Sequence, residues 1–488
     1  MELSTQEIRN KLQNSKLIKS KIKLIQYLNF TKNNFIRFTL NINGPVKYNP
    51  ETEFNDNKYL NPILWQMGHV TFFYVNLVIK NLEYNPNEDG NYLLEIINNI
   101  ENKKVFEFYD SHKTPLEYRN NKEKIFNYSE VITFYKIVIE FIEKYIKNKL
   151  ILSRIDIYLI MLGILHNEMH NEAFIFTKLK LNPQYYIFND FNRFYSQEIE
   201  SDTIELSLKS LEQYSQTERN LIQNIEYVDY SCGDFIQGVV YSYNYLHFDN
   251  EKPAFKKYLD SFSISKYQIT ENQYLQFILS SDYENENYWS TIGFEWKQKN
   301  NIKCPLYWEW NHQTQKYYKM INAQRYSVET NLPIVHISYY EAEAYCKWVG
   351  GRLPTESEYE YVATNKGTTR FPWGDKKNID IWRQVNLNYK NYLMPVNYFK
   401  FSKSQNKMGI HQLIGNAWEW CQEAIYPYDG FVIDPVYREM SYPFFGYKKI
   451  CKGGAFCVPD FLIHPKYRNA QYPDCRIQFI GFRVCKDI

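Results

Sequence analysis

No cysteine precedes Cys232 in this 488-residue chain, and none of the eight that it holds stands in a CxxC pair. That distribution excludes a zinc ribbon and a thioredoxin-type redox motif, and predicts a reduced protein with partly buried thiols. Neither sign of charge is in excess. A net charge of +2 gives no overall attraction for nucleic acid or an acidic membrane, so neither is expected as a partner. The basic run from Lys16 to Lys23 reads as a solvated helix face. Long apolar runs are missing too: near the middle the longest is Tyr158 to Leu165, far short of the roughly 20 residues that a membrane span needs. The opening MELSTQEIRNKLQNSKLIKSKIKL has no apolar core of the secretory kind, which leads to the expectation of a cytoplasmic protein. There is no repeat of fixed period and no low-complexity tail.

What is present is the balance of a folded protein, with 44% hydrophobic and 23% charged residues. The length is too great for one core, so two domains are expected. Apolar residues recur at helical spacing in Leu93 to Ile100, Ser129 to Ile146 and Ile157 to Leu179. Asn61-Pro62 reads as a helix start, with Asn61 as the cap and proline in the first turn. Trp65, His69, Phe72, Phe73 and Leu77 then form one inward stripe. Leu159, Leu162, Gly163, His166, His170, Ala173 and Thr177 form another. This pattern predicts a helical bundle over residues 1–185.

Residues 186–225 read as a connector with a helix from Thr203 to Ile222. From 226 to 488 the texture changes to short aromatic and β-branched runs between turns, such as FIQGVVYSYNYLHF and FSISKYQIT. One helix, Tyr339 to Val349, runs into the Gly350-Gly351 stop. The second part is therefore α+β, and the expected class is a multidomain α and α+β protein.

His166 and His170 lie one helical turn apart and project from the same face. That face is otherwise apolar and points inward. A buried imidazole without partners costs about 1–3 kcal/mol, so two together, with His69 on a second inward stripe, call for a shared ligand. A metal ion supplies one. Three imidazoles without thiolate suit zinc, copper, nickel or iron and leave open positions. On spacing alone, a pair of satisfied core histidines explains HxxxH equally well.

The surrounding segments carry more information. LHNEMHNEAF resembles the HxxxHxE signature of the DinB-like bundle in ergothioneine-type sulfoxide synthases (hercynine oxygenases), and NPILWQMGHVTFF resembles the segment that supplies their third histidine. The second part resembles a formylglycine-generating-enzyme-type (sulfatase-modifying-factor) domain of C-type-lectin-like architecture. The matching stretches are PIVHISYYEAEAYCKWVGGRLPTESEYEYVA, FPWGD, MGIHQLIGNAWEWC, KGGAF and GFRVC. Together they cover most of the chain from about residue 55 onward in the family's order.

The resemblance implies a single Fe(II) held by His69, His166 and His170, with Glu172 behind the ligands. It implies O2 together with hercynine or histidine and a thiol or selenol as small-molecule substrates, a new C–S bond at the imidazole, and oxidation of the sulfur. DPVYREMS resembles the loop that carries the family's catalytic tyrosine, which makes Tyr437 the proton donor; its pKa near 10 keeps the proton available at neutral pH. YRNAQYPDCRIQFIGFR resembles the tail whose asparagine binds the hercynine side, so Asn469 takes that role. The family has an aromatic residue next, suited to a quaternary ammonium. Here it is Ala470, with Tyr472 as the nearby aromatic face. Arg119, in FYDSHKTPLEYR, is the candidate contact for an anionic group of the donor. That segment and HNEMHNEA look closer to a branch that includes selenoneine synthases.

Selenoneine synthase and 5-histidylcysteine sulfoxide synthase are thus alternative activities. A formylglycine-generating-type oxidase would need a second thiol five residues past Cys457, where Leu462 stands. A non-enzymatic binding module, or a DinB-type thiol transferase working without oxygen, are further alternatives. Asn416, Trp418, Glu419 and Trp420 are read as core of the second domain.

Overall fold

A computed structural model describes residues 16–40, 60–82, 107–121, 123–181, 224–240, 246–321, 324–375, 385–390, 392–398 and 405–488. The expected helices Leu93 to Ile100 and Thr203 to Ile222 lie outside them. The chain divides into two compact units, Met1–Thr177 and Lys178–Ile488. The first is helical and the second mixes strands with short helices, as the sequence pattern implied.

The helical unit is built on α1 (Lys16–Thr39), α2 (Ile63–Phe73), α3 (Tyr128–Asn148) and α4, which begins at Arg154 and ends at Leu181. Both α1 and α2 pack against α3. Phe35 of α1 stacks on Tyr135 of α3 at 3.8 Å and meets Phe174 of α4 edge-on at 5.5 Å. The Tyr135 hydroxyl donates to Asn167 Oδ1 at 2.7 Å, which joins α3 to α4. Asn127 and Glu130 form a reciprocal capping box at the start of α3, satisfying two amides that the helix itself cannot. Lys21 of α1 donates to the carbonyls of Lys147 and Lys149 at the other end of α3, so part of the basic run closes a helix terminus instead of facing solvent.

Two expectations for α2 are corrected. Its N-cap is Pro62, with no side-chain cap bond, because the Asn61 carbonyl oxygen Oδ1 accepts from Arg119 at 2.6 Å. A charged guanidinium is the stronger donor and wins over a neutral amide. At the other end α2 passes into a π turn, Tyr74–Val78. The wider turn shifts the inward stripe, so Val75 and Val78 are buried while Leu77 is only half-buried.

Among the described residues the second unit holds four sheets. Strands β1 (Tyr227–Tyr230), β4 (Phe262–Ser265) and β12 (Cys485–Asp487) form one, with β4 central and both pairings antiparallel. Strands β2 (Gly233–Gln237) and β3 (Phe255–Leu259) pair with each other, and β5 (Trp308–Asn311), β6 (Lys316–Ile321) and β7 (Gln324–Ser327) form a meander. The fourth sheet has the order β10 (Asn469–Gln471), β9 (Lys449–Lys452), β8 (Trp418–Ala424), β11 (Ile480–Gly481), with only the β8–β11 pair parallel. Helices α5 (Glu271–Leu279), α7 (Tyr339–Trp348) and α8 (Glu356–Ala363) each begin with a capping box, and α6 is Thr291–Lys299. The expected stop after α7 is realised at Gly350, whose φ of +71° suits glycine. Among the described residues no helix is long and apolar enough to cross a membrane.

The GNAWEW segment is core. Asn416, at φ +70°, bonds Met394 through both backbone groups and also Asn386 and Gln412. Trp418 and Trp420 are buried, and Glu419 meets Arg483 at 2.9 Å with both side chains fully inaccessible. Breaking such a pair leaves one uncompensated buried charge, at a cost of about 3–5 kcal/mol. Arg483→Leu is therefore expected to lower the urea midpoint of the second unit sharply, and Glu419→Gln combined with Arg483→Met to restore part of the loss. An Arg483→Leu protein with an unchanged midpoint would contradict this.

Candidate metal centre

Two helices bring three imidazoles together. His69 lies on α2, and His166 and His170 lie one turn apart on α4. One ring nitrogen from each falls within 4.8 Å of the other two. Ring centroids are 5.0 Å apart for His69 and His166, 5.1 Å for His69 and His170, and 4.8 Å for the α4 pair.

The outward nitrogens of His69 and His170 are held. His69 Nδ1 donates to the Tyr109 carbonyl at 2.8 Å, and His170 Nδ1 donates to Gln66 Oε1 at 3.2 Å. Each bond fixes the tautomer and leaves Nε2 with a lone pair for a metal. Gln66 is itself fixed by its amide nitrogen, which donates to the Asn61 carbonyl at 2.8 Å and approaches Thr177 Oγ1 at 3.4 Å. His166 is oriented by packing: Phe73 stacks on it at 3.7 Å with ring planes 7° apart. Two glycines permit this closeness. A Cβ on Gly68 would meet the Tyr109 ring at 2.1 Å, and one on Gly163 would meet Tyr74 at 2.5 Å.

Burial holds the His69 imidazole down to about 4 and those of His166 and His170 well below the usual range. At neutral pH all three are uncharged, the state in which imidazole binds a metal. An all-nitrogen donor set, with the tautomers of His69 and His170 preset, fits a first-row divalent ion.

Arg119 stands at the edge of this cluster. Its guanidinium lies 4.1 Å from the Trp65 ring, and Trp65 stacks on His69 at 5.0 Å. It donates to the Thr114 and Ser111 carbonyls and to Asn61, and its charge helps hold His69 and His170 neutral. Glu172 is buried on α4.

Tyr437 and Asn469 belong to the second unit, where one turn ties both. Asp249 accepts from Ser441 Oγ at 2.5 Å and from the Asp434 amide at 3.2 Å, and Asp434 in turn accepts from the Tyr437 amide at 3.0 Å. The neighbouring Asn250 exchanges bonds with Arg468, the residue before Asn469. Tyr437 and Asn469 are both half-buried. The Tyr472 face already meets a cation, the Lys448 ammonium, at 5.2 Å. Cys457 is buried, with buried Leu462 five residues on.

The sequence reading missed Gln66, Tyr109 and Asp249, and placed Phe73 on the inward stripe without a role beside His166. Gln66 carried a signal, a buried-side amide one turn from His69. Tyr109 carried none, since it acts through its carbonyl.

Residues 213–488 match the model of the sulfatase-modifying factor enzyme 1-like domain. The chain belongs to that family. It is 31% identical to the hercynine oxygenase of Mycobacterium tuberculosis over 259 residues, which cover 52% of this chain and 59% of that protein. With the hercynine oxygenase of Mycolicibacterium thermoresistibile the figures are 27% over 263 residues, 52% and 57%. The formylglycine-generating enzyme of Bos taurus is 26% identical over 278 residues, covering 49% of this chain and 69% of that protein. The matched region thus spans less than two thirds of the length of the hercynine oxygenases.

The buried rings predict a pH effect. Folded imidazoles have lowered pKa values, whereas the unfolded chain takes up protons near pH 6.5. Stability of metal-free protein should therefore be full above pH 6.5 and fall below it, by about 1 kcal/mol per ring at pH 5.5. Urea midpoints of chelator-treated protein at pH 7.5 and 5.5 check this, and equal midpoints would contradict burial of the neutral rings.

Proposed function

We propose that this chain is a non-haem Fe(II)- and O2-dependent sulfoxide synthase that joins a thiol to the imidazole of hercynine, in the ergothioneine-type manner. The convergence of His69, His166 and His170 within 4.8 Å, in a chain similar to hercynine oxygenases, is the observation that carries this reading. In it residues 1–185 are a DinB-like bundle, 186–225 a connector and 226–488 the sulfatase-modifying-factor domain of a cytoplasmic enzyme.

The overall balance is one thiol, one imidazole C–H and one O2 giving the imidazolyl sulfoxide and one water. O2 takes four electrons, two from forming the C–S bond and two from oxidising the sulfur. Ferrous iron, held by the three imidazoles, supplies the centre for that oxygen chemistry. The protein's own part is positioning and proton delivery. Gln66 and the Tyr109 carbonyl keep His170 and His69 turned inward. Arg119, pinned on Trp65, offers a positive field for an anionic group of the donor. Tyr437 is the proton donor to oxygen as it is reduced, and Asn469 orients the acceptor. With Ala470 in place of an aromatic residue and Lys448 against Tyr472, the acceptor's ammonium group has no preformed aromatic cage at these two positions. Histidine as acceptor, and a selenol in place of the thiol, follow from the same site with the same electron balance.

His170→Ala should lose at least tenfold in iron content, because two imidazoles leave an under-ligated ion. Metal analysis of purified protein checks it, and normal iron would overturn the ligand assignment. Tyr437→Phe should keep its iron but shift product from sulfoxide toward simple thiol oxidation. Mass spectrometry with hercynine or histidine crossed against cysteine, γ-glutamylcysteine and a seleno-sugar reads both the substrate pair and this ratio. An unchanged product profile removes Tyr437 from the chemistry.

A further inference from the structure

The second unit contains another convergence of ligating side chains, which the proposed activity does not use. Glu251 closes a short 3-10 turn, Asp249–Glu251, and His247 stands one turn before it. His464 comes from the loop that leads into β10. Glu251 Oε2 lies 3.0 Å from His247 Nδ1 and 3.3 Å from His464 Nε2. The two rings are perpendicular, with centroids 5.0 Å apart.

The charge balance of this cluster is unlike that of its neighbours. Among the described residues, the other buried glutamates of the unit each meet a permanent cation: Glu271 meets Lys319, Glu341 meets Arg476, Glu356 meets Arg468, Glu358 meets Arg352, Glu360 meets Lys466 and Glu419 meets Arg483. Glu251 is fully buried, and its ion pairs among the described residues are to imidazoles alone. Its Oε1 accepts no hydrogen bond among those residues. A buried carboxylate whose ion pairs include no permanent cation calls for a positive charge beside it.

The distances suit a shared ion. Metal–ligand bonds of about 2.0–2.1 Å place tetrahedral ligands about 3.3 Å apart, close to both measured separations. The two imidazoles are 12% and 15% exposed, which leaves an approach for a water as fourth ligand.

We propose that His247, Glu251 and His464 form a second metal centre, which takes a zinc-class divalent cation. Its place in the fold gives it a structural role. The turn it would pin is the one whose Asp249 holds the Tyr437 loop and whose Asn250 holds Arg468 beside Asn469.

The test uses the full chain carrying His166→Ala and His170→Ala, which removes two of the three ligands of the first cluster. After incubation with excess Zn2+ and gel filtration, metal analysis should find one zinc per chain. Adding Glu251→Gln, nearly isosteric, or His464→Ala should remove it. The wild-type chain should take up two ions, one of which is lost in Glu251→Gln. Absence of zinc in the double variant, with only one ion in wild type, would overturn the proposal in favour of a hydrogen-bonded His–Glu–His triad. Zinc retained at full stoichiometry by Glu251→Gln would overturn it as well. Circular dichroism of each variant shows whether it is folded, and the wild-type stoichiometry decides the matter if a variant is not. None of these outcomes depends on the oxidase reading.

Discussion

Three neutral imidazoles inside an apolar helical unit are the constraint around which the rest of that unit is arranged. Water would satisfy their nitrogens at no cost, so placing them in the interior requires substitutes. The chain supplies a backbone carbonyl for His69 and a side-chain amide for His170, while Phe73 stacks on the His166 ring and fixes its plane. Each substitute restricts the ring it serves. What begins as compensation for burial ends as a preorganised set of lone pairs pointing at one another, which a divalent ion completes.

That requirement propagates outward. Gln66 can serve His170 only because Asn61 and Thr177 hold its other end, and Asn61 is fixed by Arg119, which rests on Trp65, which rests on His69. The chain of contacts returns to its origin. Gly68 and Gly163 are part of the same arrangement, since a side chain there would run into the rings of Tyr109, whose carbonyl holds His69, and of Tyr74, next to Phe73. The second unit follows a different plan. Its interior is laced with buried carboxylate–guanidinium and carboxylate–ammonium pairs, which are costly to break and favour one arrangement of loops over others. Such a scaffold carries long irregular segments, among them the one bearing Tyr437.

Much of this was legible in residue order. The 3.6-residue recurrence of apolar side chains located α3 and α4 to within a few residues, and the glycine pair after Tyr339–Trp348 marked the end of that helix. Histidines four apart on an inward stripe announced a cluster, and His69 on a second stripe announced its third member. Local rules failed where a distant residue intervened. Asn61 reads as a cap until Arg119, 58 positions away, claims its oxygen. Leu77 reads as core until the π turn rotates it outward. Tyr109 contributes a carbonyl, which every residue has, so no pattern of side chains could single it out. The His247–Glu251–His464 group was equally hidden, because its third member lies in a loop that joins the others only in the folded unit.

The most direct measurement of the central claim is X-ray absorption at the iron edge of Fe(II)-loaded protein. The account predicts three imidazole scatterers at about 2 Å, with the remaining positions filled by light oxygen atoms and no sulfur in the absence of substrate. A sulfur scatterer in substrate-free protein, or fewer than three imidazoles, would contradict it.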